Sequence, residues 1–317
     1  MTAQIATKGT DMNFLSRWWT FLKERHEPVG ISIMIFAFFS ANALMANEHN
    51  PIATVSLARL LPGFLLVWLV FLHMRLFDEV KDYDFDREHN PDRPLARGLI
   101  SVGEFTAMTL VCILVEATLS AMLGWQTFAT YVMVLCFTLM MRMEFFIGDW
   151  MRPKLELYAI THTFSATMIG LLIHSVVTSN DPSGAGQSFL LFALGNWFVF
   201  NVFEFGRKTF GKEEERDGVD SYSARLNPWG AVALLMVNVI AAWICFFYAA
   251  SLKFTASATW AMLLPSLAIS LLVAVSGVVY AGRNNLSGAK LYRGTVTLYL
   301  LAYPASIAAA IYLLVYR

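Results

Sequence analysis

The chain has 317 residues, of which 57% are hydrophobic and only 15% are charged, and its mean hydropathy is +0.56. Because soluble proteins contain about 25% charged residues, this composition indicates a protein embedded in a lipid bilayer. The 23 basic and 23 acidic side chains give a net charge of zero, which argues against a nucleic acid as a partner.

The first 27 residues predict a segment that lies on the membrane surface and carries no cleavable signal peptide. Four basic residues accompany a largely aromatic stretch: Lys8, Arg17, Lys23 and Arg25 with Phe14, Trp18, Trp19, Phe21 and Leu22. This pattern is typical of an interfacial amphipathic helix. Residues 28–317 are then expected to form a single transmembrane domain.

Long apolar segments follow one another through the rest of the chain. A helix needs about 20 apolar residues to cross a bilayer. The hydropathy predicts nine such helices, at 28–47, 53–77, 103–123, 126–146, 155–178, 187–206, 228–250, 258–281 and 294–315. We therefore expect an all-α, multi-pass membrane protein.

The basic residues are distributed unequally between the two ends of these helices. Twenty of the 23 lie in the N-terminal segment or in the longer loops on the same side, while Lys253 and Arg317 lie on the opposite side. The positive-inside rule then places the N-terminus and the long loops in the cytoplasm, as in a bacterial cell membrane. Arg59, inside the second helix, is expected to extend its charge to the headgroups.

Three aspartates, Asp78, Asp82 and Asp86, occur where the second helix runs into a polar loop. Four residues of helix turn through about 400°, so the three carboxylates are predicted to share one face. Carboxylates that converge beside lipid repel one another unless a divalent cation or basic groups neutralise them. Mg²⁺ commonly takes one or two carboxylates and completes its shell with water and substrate phosphates. The spacing therefore predicts a diphosphate held through magnesium.

A second charged region ends the sixth helix, where Glu204 is followed by Arg207 and Lys208 within about one turn. A carboxylate can bind a metal, and the two cations can bind phosphate oxygens. The acidic run that follows is interpreted as mostly a solvated loop: Glu213, Glu214, Glu215, Asp217 and Asp220.

Other polar residues leave alternatives open. The charged patch after the fourth helix can be either a set of membrane anchors or part of a substrate site: Arg142, Glu144, Asp149, Arg152 and Lys154. Ionisable groups at membrane depth usually face a cavity or pair with one another. His162 and Asn201 are candidate cavity residues, and Glu116 lines a cavity or makes a helix–helix hydrogen bond.

Residues 78–103 resemble the first signature of the UbiA superfamily of intramembrane prenyltransferases, written NxxxDxxxD and followed by N-x-x-R-P-L-x-x-G-x-[IL]-[ST]. Asp82 and Asp86 match the acids, and Asp78 replaces the usual asparagine. The tail matches at Asn90, Arg93, Pro94, Leu95, Gly98, Ile100 and Ser101. The second signature, DxxxD or DxxD, differs here, because this chain offers Glu204 with Arg207 and Lys208.

The resemblance implies a funnel-shaped helix bundle with a central cavity open to the cytoplasm. It implies Mg²⁺ as the cofactor, held by Asp78, Asp82, Asp86 and Glu204, and an isoprenoid diphosphate as the substrate. The expected diphosphate-binding residues are Arg93, Arg152, Arg207 and Lys208. The expected reaction transfers the prenyl group to a small hydrophobic or aromatic acceptor within the bilayer.

Two other functions remain open. A UbiA-type terpene cyclase would use an alkene of the substrate itself in place of the acceptor, and the altered second signature is compatible with that outcome. A transporter or scaffold protein without catalysis is the third reading. The absence of a paired set of broken helices in the sequence argues against a transporter.

Overall fold

The computed structural model describes residues 12–47 and 55–315, and this part of the chain is helical, with no strand. Its helices are α1 (Phe14–Arg25), α2 (Pro28–Ala46), α3 (Leu57–Lys81), α4 (Tyr83–His89), α5 (Val102–Leu123), α6 (Trp125–Arg142), α7 (Gly148–Met151), α8 (Leu155–Thr163), α9 (Ser165–Thr178), α10 (Gln187–Arg207), α11 (Tyr222–Ser251), α12 (Ala256–Arg283) and α13 (Leu286–Val315). The predicted all-α, membrane-embedded fold is confirmed.

Eight helical segments in the described ranges are long and apolar enough to cross a membrane: α2, α3, α5, α8 with α9, α10, α11, α12 and α13. The predicted count of nine is therefore not confirmed. The remaining predicted span, 126–146, corresponds to α6, which has only 18 residues. Gln126, Thr127 and Arg142 lower the mean hydropathy of this short helix.

The spanning helices pack in chain order and close into a ring, because α13 packs back against α2. Aromatic side chains fill much of the core, and Phe189, Phe192 and Phe246 are almost completely buried. Leucine and valine side chains cover the outside, as expected of a surface that faces lipid. Several helices continue beyond their apolar stretch. In particular, α3 extends to Lys81 and so carries Asp78 in its last turn.

Helix α1 lies against the bundle through both apolar and ionic contacts. Trp18 and Phe21 pack on the ring of Phe105, and Phe21 meets it edge-on at 5.0 Å between ring centroids. Arg17 forms an ion pair with Glu104 at 2.6 Å. These contacts hold α1 against α5, and an ion pair of Arg25 with Glu79 at 2.7 Å holds its end next to α3, where its last residues reach the site described below.

The basic residues at the opposite end of the bundle bind the C-terminal carbonyl groups of helices. Arg59 donates to the carbonyl oxygens of Ser175 and Val176 near the end of α9. Lys253 donates to those of Met45 and Asn47 at the end of α2, at 2.6 and 2.8 Å. A cation at this position satisfies carbonyl groups that have no partner within the helix. Arg59 therefore binds protein, and the prediction that it reaches the headgroups is corrected.

Glu116 belongs to a buried hydrogen-bond network between helices, which decides the alternative left open for it. Its carboxylate lies 2.8 Å from Nδ1 of His73 and accepts a hydrogen bond from Tyr131 at 3.1 Å. The other ring nitrogen of His73 lies 3.1 Å from the hydroxyl of Thr138. The network ties α3, α5 and α6 together at membrane depth, where ionisable groups need such partners.

Candidate active site

A cavity of about 810 Å³ opens at the end of the bundle where α3 and α10 finish. Charged side chains line its mouth: Asp78, Lys81, Asp82, Arg142, Glu204, Arg207 and Lys208. Its inner wall is apolar and aromatic, with Met34, Phe71, Phe200, Phe203 and Leu300. The α1–α2 junction closes one side. A single cavity thus combines a polar end for a charged group with an apolar interior for a hydrocarbon.

The three aspartates of the first signature do not share one environment. Asp78 and Asp82 line the cavity, whereas Asp86 lies outside it and is buried. The side chain of Asp78 is 48% exposed, compared with 4% for Asp86. Among the residues described, no group of three His, Cys, Asp or Glu side chains could hold a metal ion. The structure therefore brings two of the three aspartates to the cavity.

Asp86 is held by neighbours that the helical spacing did not indicate. The backbone hydrogen bonds continue through the signature, from Asp82 N to Asp78 O and from Asp86 N to Asp82 O. Asp82 nevertheless separates two helices, because it is the C-cap of α3 and the N-cap of α4. The carboxylate of Asp86 then accepts hydrogen bonds from Arg93 at 2.5 and 2.7 Å and from Asn90 at 3.1 Å. Arg93 and Asn90 thus fix the loop after α4.

We expect Asp86→Ala to destabilise the protein by about 3–5 kcal/mol, because it leaves the partly buried Arg93 without its counter-ion. The measurement is the thermal unfolding midpoint of the purified protein in detergent. Arg87→Ala is the matched control on the same short helix, since that side chain is exposed. An unchanged midpoint for Asp86→Ala, together with lost activity, would instead assign Asp86 directly to the reaction.

Lys81 is a site residue that the sequence analysis missed. Its ammonium group lies 3.4 Å from the carboxylate of Asp78 and donates a hydrogen bond of 2.8 Å to the hydroxyl of Tyr158. Tyr158 in turn stacks on the ring of His162 at 4.0 Å, and both rings line the cavity. The available signal was the position of Lys81 three residues after Asp78, the same spacing that singled out Arg207 after Glu204.

The end of α10 brings Glu204, Arg207 and Lys208 into the lining of the same cavity. Arg207 binds the carboxylate of Glu204 at 2.8 Å, and Lys208 lies 3.5 Å from it. The acid and the two cations are therefore grouped as the sequence predicted. The two cations, Arg207 and Lys208, share the one carboxylate of Glu204. One positive charge is therefore left over and can bind an anion.

Of the other predicted site residues, some line the cavity and some do not. His162 lines the cavity. Asn201 does not: it is buried, accepts a hydrogen bond from Thr163 and donates one of 3.0 Å to Asn238. Arg152 is mostly exposed outside the cavity and pairs with Glu144 at 2.8 Å. Of the patch that contains Arg152, only Arg142 lines the cavity, where its guanidinium lies over the ring of Phe77 at 5.0 Å.

The acidic run after α10 is more ordered than a solvated loop. Glu214 pairs with Arg293 at 2.6 Å, and Glu215 accepts hydrogen bonds from Ser221 and Ser223 at 2.7 Å. Glu213 accepts one from the backbone of Leu286. These three carboxylates are therefore used to fasten the loop to α13 and α11.

The donor set at the cavity mouth is compatible with a hard divalent cation and a diphosphate. Asp78 and Asp82 offer two carboxylates, which is the number that Mg²⁺ commonly takes from a protein. Burial raises the pKa of Asp82 above its usual range, and the charges of Asp78 and Asp86 add to this effect while Lys81 opposes it. A cation beside Asp82 would relieve the cost of its charge.

The comparisons with known proteins agree on one fold. The sequence model of the UbiA prenyltransferase family matches residues 33–301. One similar solved structure, from work on digeranylgeranylglyceryl phosphate synthase in membranes, has 13% identity and a TM-score of 0.64, covering 94% of this chain and 99% of that one. Another, the apo structure of a UbiA homologue from Aeropyrum pernix K1, has 18% identity and a TM-score of 0.64, covering 89% and 97%. No curated protein sequence matches this chain.

Proposed function

Because the chain belongs to the UbiA prenyltransferase family, we propose that it transfers a prenyl group from an isoprenoid diphosphate to a small aromatic acceptor within the membrane. The observation that carries this proposal is one cavity with two kinds of lining. Its charged lining includes Asp78, Asp82 and, at the end of α10, Glu204 with Arg207 and Lys208, and its interior is aromatic. A diphosphate fits the charged mouth, and its hydrocarbon tail fits the apolar wall.

In this proposal Asp78 and Asp82 would hold one Mg²⁺ ion and Glu204 would contribute to holding a second, and these ions would neutralise the charge of the diphosphate as the allylic C–O bond breaks. Lys81, Arg207 and Lys208 donate hydrogen bonds to the phosphate oxygens, and this stabilises the leaving group. The aromatic rings of the inner wall, Phe71, Phe200 and Phe203, face the positive charge left on the prenyl group. A carbon of the acceptor then bonds to that group and releases a proton.

The test is a product assay with the purified protein, Mg²⁺ and geranyl, farnesyl or geranylgeranyl diphosphate, with and without small hydroxylated aromatic compounds. A prenylated aromatic product formed together with diphosphate supports the proposal. A cyclic terpene formed without any acceptor would assign cyclisation instead. Intact substrates in every combination would contradict both activities and favour a protein without catalysis.

The proposed orientation places the cavity mouth in the cytoplasm of a bacterial-type cell membrane, as the positive-inside rule predicts. The segments 179–186 and 208–221 flank α10 and therefore lie at opposite ends of it. In a background with the exposed Cys136 replaced by serine, Asp217→Cys should react with an impermeant maleimide only from the cytoplasmic side.

The matched position for the outer side is Ser183→Cys, which is exposed before α10 and should react in intact cells, where Asp217→Cys should not. The sequence also suggests a position after Tyr316 for the same purpose, but it lies outside the described residues. Labelling of Asp217→Cys in intact cells would show that the orientation is the opposite of the proposed one. The cavity mouth would then face the outside and have no access to cytoplasmic diphosphates.

A further inference from the structure

A second, much smaller cavity lies in the bundle beyond the inner end of the candidate active site. Its volume is about 10 Å³, which is too little for a hydrocarbon chain. The two cavities share three lining residues: Met34 of α2, Phe200 of α10 and Leu300 of α13. Each of these belongs to the innermost turn that its helix contributes to the larger cavity. We call Met34, Phe200 and Leu300 the floor of the larger cavity, because they separate it from the smaller one.

The ring of Phe200 stands between the two cavities. It stacks on Phe71 at 6.1 Å between ring centroids and meets Phe38 edge-on at 5.5 Å. Phe71 lines the larger cavity and not the smaller one, whereas Phe38 lines the smaller cavity and not the larger one. The other two members of the floor, Met34 and Leu300, are buried. A hydrocarbon chain that enters from the charged mouth therefore meets packed side chains at this level.

The space beyond the floor has a cause in the sequence. Pro304 lies inside α13, lines the smaller cavity and has no N–H group for the carbonyl of Leu300, one turn earlier. A proline inside a helix also bends it, which works against close packing at that point. Asn196, a polar residue of the lining, is held by a hydrogen bond of 2.8 Å to Asn42. Most of the remaining lining is aromatic or aliphatic and suits a hydrocarbon: Phe38, Phe192, Val199, Phe246 and Ile307.

We propose that the floor limits the length of the prenyl donor by stopping the end of its hydrocarbon tail at Phe200. The inference rests on the proposed function, because it takes the diphosphate to lie at the charged mouth. On α10, Glu204, Phe200 and Asn196 occupy successive turns about 6 Å apart. One isoprene unit of an extended tail spans about 5 Å, because it adds four carbon–carbon bonds of about 1.5 Å at tetrahedral angles. Removal of the Phe200 ring should therefore make room for about one more unit.

The experiment measures binding to the purified protein in detergent and needs neither an acceptor nor turnover. The probes are prenyl thiolodiphosphates with two to six isoprene units, in the presence of Mg²⁺. In the wild type we expect a length limit, beyond which one further unit weakens binding by about tenfold or more, because the added carbons must displace packed side chains. Phe200→Ala should move this limit up by one unit. Each variant is compared with the wild type at the same chain length, so partitioning of long chains into detergent cancels.

Phe203→Ala is the matched control, because Phe203 is a phenylalanine of the same helix that lines the larger cavity but not the smaller one. It should leave the length limit where it is in the wild type. Phe200→Leu keeps part of the packing and guards against misfolding, so it should reduce the loss of affinity at the limit without abolishing it. Met34→Ala tests the floor from α2 and should also relax the limit. No positive charge develops on a bound analogue, so the place of Phe200 in the aromatic wall facing the carbocation does not affect this result.

The proposal is overturned if the wild type shows no length limit, or if Phe200→Ala keeps the limit of the wild type. It is also overturned if Phe203→Ala moves the limit as far as Phe200→Ala does, because a wider cavity alone would then explain the change. If Phe200→Ala does not fold, Phe200→Leu and Met34→Ala decide by the same comparison. Failure of every analogue to bind the wild type would contradict the donor site of the proposed function and the floor with it. The expected shift in binding, together with intact substrates in the product assay, would support the floor and contradict prenyl transfer.

Discussion

Asp82→Asn is expected to reduce kcat by about 10³-fold or more while the protein remains folded in detergent. Asp82 lines the cavity beside Asp78, and its carboxylate is partly buried. The substitution keeps the shape of the side chain but removes the negative charge that would bind Mg²⁺. Asp78→Asn should have a smaller effect, because the family signature that this segment resembles has asparagine at that position. The measurement is the rate of diphosphate release at saturating Mg²⁺ and substrate.

The control for this prediction is Asp84→Asn, because Asp84 lies two residues away but is exposed and outside the cavity. It should retain activity within about twofold. Removal of Mg²⁺ with EDTA should stop wild-type turnover, and adding Mg²⁺ back should restore it. If Asp82→Asn turned over within a few-fold of the wild type, the carboxylates of α3 would have no part in holding the metal.

Much of the architecture could be predicted because one physical cause dominates it. A bilayer requires long apolar helices, and their lengths are visible in the sequence. The end of α3 illustrates the limit of this reasoning. The hydropathy places the helix end at residue 77, but polar residues can continue a helix into the headgroup layer, and α3 ends at Lys81. The same effect lengthens α12 at both ends.

The separation of Asp86 from the other aspartates could not be predicted from spacing. Helical periodicity gives the face on which a residue lies, but it does not report which side chain will approach that face. Arg93 follows seven residues later, beyond the end of α4, and its approach depends on the path of the loop. The match of Arg93 to the family signature suggested a role with diphosphate. Its position beside Asp86 gives it a structural contact in addition.

The ion pair of Arg25 with Glu79 lies still further beyond a sequence argument. Arg25 and Glu79 are 54 positions apart, and α1 meets α3 only through tertiary packing. The sequence identified Arg25 merely as one basic residue of an amphipathic segment. The buried pair of Glu116 and His73, 43 positions apart, is a similar case, because hydropathy flagged the acid but could not supply its partner.

Arg207→Ala and Lys208→Ala are each expected to lower kcat by about 10²-fold to 10³-fold, the usual loss when one preorganised donor to a developing negative charge is removed. Both cations share the single carboxylate of Glu204 at the cavity mouth, so their remaining capacity faces the cavity. The charge on the diphosphate grows as the C–O bond breaks. The two substitutions should therefore lower kcat more than they raise KM.

Arg225→Ala is the matched control for these two substitutions, because Arg225 is a basic residue near the same loop that pairs with Glu156 and does not line the cavity. Its kcat should stay within about twofold of the wild type. Glu204→Gln keeps the shape and removes the charge, so it should raise the Mg²⁺ concentration needed for half-maximal activity. If Arg207→Ala, Lys208→Ala and Glu204→Gln all behaved like the wild type while Asp82→Asn was inactive, the end of α10 would have no role in binding Mg²⁺ or the diphosphate. The chemistry would then depend on the carboxylates of α3 alone, and the second charged group would serve only to connect α10 to α11.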